Sequence, residues 1–157
     1  MAETIRITEG DKEAQYLGLL PQIEALVNGE SDLIANLANI AAALKEQFGW
    51  LWVGFYLVKG DELVLGPFQG PVACTRIKKG RGVCGTAWEQ QSTLVVEDVS
   101  KFPGHIACSS LSKSEIVVPF FSGTEVIGVL DVDSELLSDF TAVDQLYLEK
   151  LLKNLHL

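Results

Sequence analysis

The chain has 157 residues, 48% apolar and 21% charged, a composition that suits one globular domain spanning residues 1–157 and excludes a disordered chain. Twelve basic against 21 acidic residues leave a net charge of −9 with both histidines neutral, which weighs against nucleic acid and against an anionic membrane surface. No apolar run approaches the roughly 20 residues of a membrane span, and the opening MAETIRITEG lacks a basic stretch followed by an apolar core, so a cytoplasmic protein is expected.

Residues 11–28 carry Tyr16, Leu19, Leu20, Ile23 and Val27 at helical spacing, with Pro21 predicting a kink or a break. A second helix is predicted after Ser31-Asp32, with an apolar stripe of Leu33, Leu37, Ile40, Ala41 and Leu44, ending at Gly49. The aromatic run Trp50–Val58 then reads as a strand, and Lys59-Gly60-Asp61 as a tight turn into Glu62–Leu65. Strand alternation puts Trp50, Trp52, Gly54 and Tyr56 on one face and Leu51, Val53, Phe55 and Leu57 on the other. The first set either walls a pocket or packs under the N-terminal helices.

Five glycines over 66–86 predict a loop, with a short strand near Cys74–Ile77 and a short helix near Val83–Gln90. A strand over Thr93–Val96 leads into the polar segment 97–114, whose length suits a functional loop more than a connector. Glu115–Phe121 and Glu125–Asp131 form a second hairpin around Ser122-Gly123-Thr124. A last helix over 141–154 aligns Phe140, Val143, Leu146, Tyr147, Leu151 and Leu155 on one face. The order α-α-β-β-β-α-β-β-β-α is that of an α+β domain with a mostly antiparallel sheet and helices packed on it.

The three cysteines, Cys74, Cys84 and Cys108, show no Cys-x-x-Cys spacing, which argues against a structural zinc site. In a reducing compartment such thiols are free, and they serve either as small core residues or in chemistry. Cys84 lies in Gly80-Arg81-Gly82-Val83-Cys84-Gly85, where a helix N-terminus is expected to lower the thiol pKa. That run also satisfies the dinucleotide pattern GxGxxG, but no βαβ unit surrounds it. Cys108 sits in the polar loop near His105, a poor place for core filling, and reads as the reactive thiol. Thiols in such segments suggest an attack-and-resolve cycle ending in a disulfide. Asp131 and Asp133 alternate onto one face of a strand, with Glu115 at the start of the preceding one. Three converging acids repel one another unless a cationic ligand sits among them or one keeps its proton.

Leu65–Pro71 with Cys74, Gly80–Trp88, Val96–Val99, Phe102–Cys108, Ser114–Pro119 and Gly128–Ser134 together resemble the free methionine-R-sulfoxide reductase family of GAF-domain enzymes. The resemblance covers essentially the whole chain. It implies free L-methionine-(R)-sulfoxide as substrate, thioredoxin as reductant and a homodimer, with no metal or organic cofactor. It makes Cys108 the nucleophile and Cys84 and Cys74 the resolving candidates. It places Glu115, Asp131 and Asp133 in the substrate pocket, Glu115 and Asp133 as candidate proton donors, and Trp52 and Tyr56 near the substrate's methyl end. The competing readings are a non-catalytic GAF sensor of a small ligand such as a cyclic nucleotide and a peroxide-sensing thiol protein.

Overall fold

The computed structural model describes residues 4–106 and 108–155. Its elements follow the expected order: helices α1 (Lys12–Val27) and α2 (Leu33–Phe48), strands β1 (Trp52–Lys59), β2 (Glu62–Gln69) and β3 (Arg76–Lys78), helix α3 (Gly82–Gln90), strands β4 (Leu94–Val96), β5 (Ser114–Ser122) and β6 (Glu125–Ser134), and helix α4 (Ala142–Lys153). The fold is α+β, and the six strands lie in the order β3-β2-β1-β6-β5-β4 with every pairing antiparallel.

Local chemistry sets the helix ends. Asp11 and Asp32 cap α1 and α2 by accepting from Ala14 N and Ala35 N, and Gly49 closes α2 in the left-handed region at φ 66°. Of the kink or break expected at Pro21, the break does not occur, and α1 runs through it. The proline faces solvent, where the carbonyl of exposed Leu17 that lost its partner is open to water, while Tyr16, Leu19 and Ile23 hold the other side in the core. In α4, Leu146 is exposed and Val143 only half-buried; Leu148 and Leu152 join Tyr147 and Leu151 inside.

Both faces of the sheet are covered. Val53, Phe55, Ile116, Val118, Leu130 and Val132 pack under α1, α2 and α4. The opposite face, with Trp52, Tyr56, Leu63, Val117 and Val129, packs against α3 through Val83, Ala87 and Trp88. Trp50 leaves the alternation expected of it: it precedes β1 and joins the first core, stacked on Phe48. The glycine-rich segment is less of a loop than expected, because β2 continues through Gly66 to Gln69. Cys74 in turn lies before β3, not in it.

A buried ionic network ties the two ends of the chain. Asp144, fully buried, accepts from Tyr16 Oη at 2.6 Å and Lys12 Nζ at 2.6 Å, and from Thr141 N at 2.8 Å as part of the α4 capping box. Removing one partner of such a set leaves the others unpaired in low dielectric. Asp144→Ala is therefore expected to lower unfolding stability by about 3–5 kcal/mol in urea titrations, a loss out of proportion to the volume removed.

Candidate active site

The antiparallel register builds the site on the α3 side of the sheet. Glu115 on β5 pairs directly with Asp133 on β6, and Val117 pairs with Asp131. On the other flank of β6, Asp131 faces Gly54 and Asp133 faces Trp52 of β1. Residues two apart on one strand share a face, so the register brings all three carboxyl groups to one patch beneath α3. Glu115 is 5% exposed and Asp131 is 7% exposed.

Burial sets their protonation. It pushes the Glu115 carboxyl well above its ordinary value, and the charges of Asp131 and Asp133 push the same way. Asp133 is also driven well up, by burial first and then by Asp131, although Ser112 Oγ donates to its Oδ1 at 2.9 Å. Asp131 rises through burial too, opposed by Glu115 and Cys84 as proton-bearing neighbours. Its Oδ1 is buried without a hydrogen-bond partner among the described residues. All three carboxyl groups are thus driven toward their protonated forms, Asp131 against the opposing pull of its neighbours.

Around these acids lies a pocket lined by Trp52, Tyr56, Cys84, His105, Cys108 and Ile106, among others, with an empty volume of about 600 Å³ open in part to solvent. The aromatic rings are its wall and also its anchor. Trp52 Nε1 donates to Pro71 O at 3.0 Å and Tyr56 Oη donates to Cys74 O at 2.8 Å, so both rings hold the 70–75 loop. Gly54 makes this possible: a Cβ there would lie 2.5 Å from the Trp52 ring and 2.4 Å from Phe68 Cβ. Gly85 serves α3 in the same way, since a Cβ there would lie 2.4 Å from Lys78 O.

The structure separates the three cysteines. Cys74 and Cys108, 34 residues apart, are joined in a disulfide that staples the 70–75 loop to the 102–113 loop beside the pocket. A disulfide is the end point expected of an attack-and-resolve cycle, and Cys84 is the thiol left free. Cys84 is buried in the first turn of α3, and its pKa is raised well above the ordinary thiol value, where the helix N-terminus was expected to lower it. Burial is the main cause, with Asp131, Glu115 and Asp133 adding to it. Cys84 is therefore neither mobile nor thiolate-prone.

All the residues singled out from sequence converge here: Trp52, Tyr56, Cys84, Cys108, Glu115, Asp131 and Asp133 line the pocket, and Cys74 is bonded to one of them. Ser112 was not anticipated as the partner of Asp133, and its only sequence signal was membership of the long polar loop. His105 was noted only for its nearness to Cys108. Its Nε2 lies 4.0 Å from Glu115 Oε1, and burial lowers its pKa, which favours neutral imidazole.

The GAF domain family model matches residues 32–155, which defines the class of fold. GAF domain-containing protein A of Dictyostelium discoideum is 66% identical over 154 residues, covering 98% of each chain. The free methionine-R-sulfoxide reductase of Escherichia coli K12 is 47% identical over 146 residues, 92% of this chain and 88% of that one. The X-ray structure of free methionine-R-sulfoxide reductase from Neisseria meningitidis in complex with its substrate superposes with a TM-score of 0.94, at 61% identity over 96% of this chain and 91% of that one. The chain belongs to the free methionine-R-sulfoxide reductase family of GAF domains, a family of oxidoreductases.

A group whose pKa is raised on folding is stabilising below its unfolded value and loses that stability as pH climbs toward the folded one. For Glu115 the loss begins near its ordinary value of 4.5. Glu115→Gln removes the ionisation and keeps the shape. Its melting temperature is expected to exceed that of the ligand-free wild type at pH 7, by about 2–4 °C for each kcal/mol recovered, and the gap should close toward pH 4. A scan of melting temperature between pH 4 and 8 checks the sign.

Proposed function

We propose that this protein is a single-domain catalyst that reduces free L-methionine-(R)-sulfoxide to methionine. The observation that carries this reading is the meeting of three carboxyl groups, two buried and that of Asp133 half-buried, with a disulfide at one pocket. Relatives bearing the reductase name, one of them solved with its substrate, support the same reaction.

The chemistry follows from the residues. The Cys108 thiolate, generated on reduction of the disulfide, attacks the sulfoxide sulfur. Sulfoxide oxygen is a poor leaving group unless it gains a proton. Glu115 and Asp133, both pushed toward their protonated forms, are placed to donate it. The oxygen passes to Cys108 as a sulfenic acid, and methionine leaves. A second thiol then attacks the sulfenic sulfur, expelling water and closing a disulfide. The Cys74–Cys108 bond supports Cys74 as that thiol, leaving Cys84 outside the cycle. Thioredoxin, a dithiol reductant, restores both thiols by exchange. The unpartnered Oδ1 of Asp131 accepts the substrate ammonium, which offsets the repulsion among the acids. Trp52 and Tyr56 face the methyl end. The cycle as written uses no metal or organic cofactor. A homodimer in the cytoplasm belongs to the same reading; among the described residues no helix is long and apolar enough to cross a membrane.

Turnover is read from NADPH consumption coupled through thioredoxin reductase and thioredoxin. Cys108→Ser is expected to abolish it. Cys74→Ser should release about one methionine per enzyme in a single burst and then stall, because attack precedes resolution. Multi-turnover activity in Cys108→Ser would sink the assignment.

Free substrate should be strongly preferred. N-acetylation removes the ammonium and leaves Asp131 unpaired, so N-acetyl-methionine sulfoxide is expected to lose roughly 10³-fold or more in kcat/KM. Asp131→Asn should raise KM for the free amino acid. Equal efficiency on the two substrates would refute the ammonium site.

A further inference from the structure

Three ligating atoms of mixed character lie together in the floor of the pocket. Cys84 Sγ and one carboxylate oxygen each from Glu115 and Asp131 are mutually within 4.8 Å, and all three residues are buried. The proposed cycle leaves the Cys84 thiol unused, because the disulfide joins Cys74 to Cys108. An independent observation points to a ligand here: Asp131 is more than nine-tenths buried, lines the pocket, and its Oδ1 has no hydrogen-bond partner among the described residues. His105 Nε2 lies outside that cluster, 4.0 Å from Glu115 Oε1.

We infer that Cys84, Glu115 and Asp131, with His105 as fourth donor, form a site for a borderline divalent cation of the zinc class, and that the ion competes with the substrate for the pocket. The donor set selects the ion. One sulfur, two carboxylates and an imidazole suit zinc or cobalt, whereas magnesium and calcium demand six or more oxygens. Tetrahedral zinc, with bonds of about 2.0–2.3 Å, sets its ligand atoms roughly 3.5 Å apart. The three clustered atoms, mutually within 4.8 Å, draw together on binding, and His105 turns in from the Glu115 side to complete the set. On binding, the Cys84 S–H bond breaks and a sulfur–metal bond takes its place, and the Cys84 proton leaves to solvent together with any proton held on Glu115 or Asp131. No oxidation state changes. The ion supplies the positive charge that the three acids otherwise lack, in the place proposed for the substrate ammonium. The competition rests on that ammonium site; the binding of the ion does not.

The test uses the oxidised protein, in which Cys74 and Cys108 are joined and Cys84 is the free thiol. Titration with cobalt(II) alone is expected to develop a sulfur-to-cobalt charge-transfer band that saturates at one equivalent and is bleached by zinc. Cys84→Ser should lose the band while keeping the wild-type circular dichroism. Asp131→Asn, which keeps the thiol, should weaken cobalt binding about 10-fold or more. Free methionine sulfoxide should displace the ion, and in the reduced enzyme zinc should raise the apparent KM with kcat unchanged. Absence of the band in the wild type, or an undiminished band in Cys84→Ser, overturns the site. A Cys84-dependent band that methionine sulfoxide does not displace upholds the ion site and overturns the competition, so the ammonium reading fails separately from the metal.

Discussion

Everything distinctive about the pocket depends on one constraint: three carboxyl groups are brought under α3 by strand register, two of them buried and Asp133 half-buried. The pairing Glu115 with Asp133, and Val117 with Asp131, leaves them no choice of face. Their mutual repulsion and burial both favour the protonated state, and the pKa directions of Glu115, Asp133, Cys84 and Tyr56 all follow from it. For Tyr56 burial acts first and Asp131 second. A site of this kind is stable when empty only by holding protons. A cation entering it offsets the repulsion among the acids.

The sheet divides the work between its faces. The side under α1, α2 and α4 is filled by aliphatic and aromatic residues and closed by the Asp144 network, so it contributes stability and no chemistry. The other side carries the acids, and its aromatic residues have two duties. Trp52 and Tyr56 wall the pocket, and their polar ends hold the loop that bears Cys74. The disulfide joins two irregular segments, one of which is fastened to the rigid strand beneath the pocket.

The periodic parts of the sequence were legible because burial there follows a simple repeat. The order of all ten helices and strands, the α+β class and the shared face of Asp131 and Asp133 are read from helical and strand spacing alone. The GAF assignment needed the spaced motifs around the cysteines, since spacing alone defines no family. The failures have local causes. Pro21 was read by its missing N–H, and the solvent exposure that makes the loss tolerable is a tertiary fact. Trp50 was assigned by alternation, but it lies just outside β1, where the period of two no longer applies. Leu146 misleads in α4 because the buried face turns toward Leu148 and Leu152. Ser112 was invisible, as its contact with Asp133 spans 21 residues and a loop.

Cysteine is the clearest case of identity decided by surroundings. The sequence places Cys84 in a glycine-rich helix start, a setting that on its own activates a thiol. The structure adds two terms that sequence spacing cannot express: full burial, and three acids across the pocket floor. A helix N-terminus contributes about 0.3–1 kcal/mol to a nearby charge, up to about 2 in a partly buried setting. Taking a lone thiolate out of water beside carboxylates opposes it by more. The sum keeps the Cys84 proton in place, and with it the thiol's reactivity toward disulfides and sulfoxides. Cys108, exposed in its loop, and half-buried Cys74 escape that penalty and carry the bond. The acids that make the pocket receptive to a cation thereby also keep the third thiol from competing for the oxidised one.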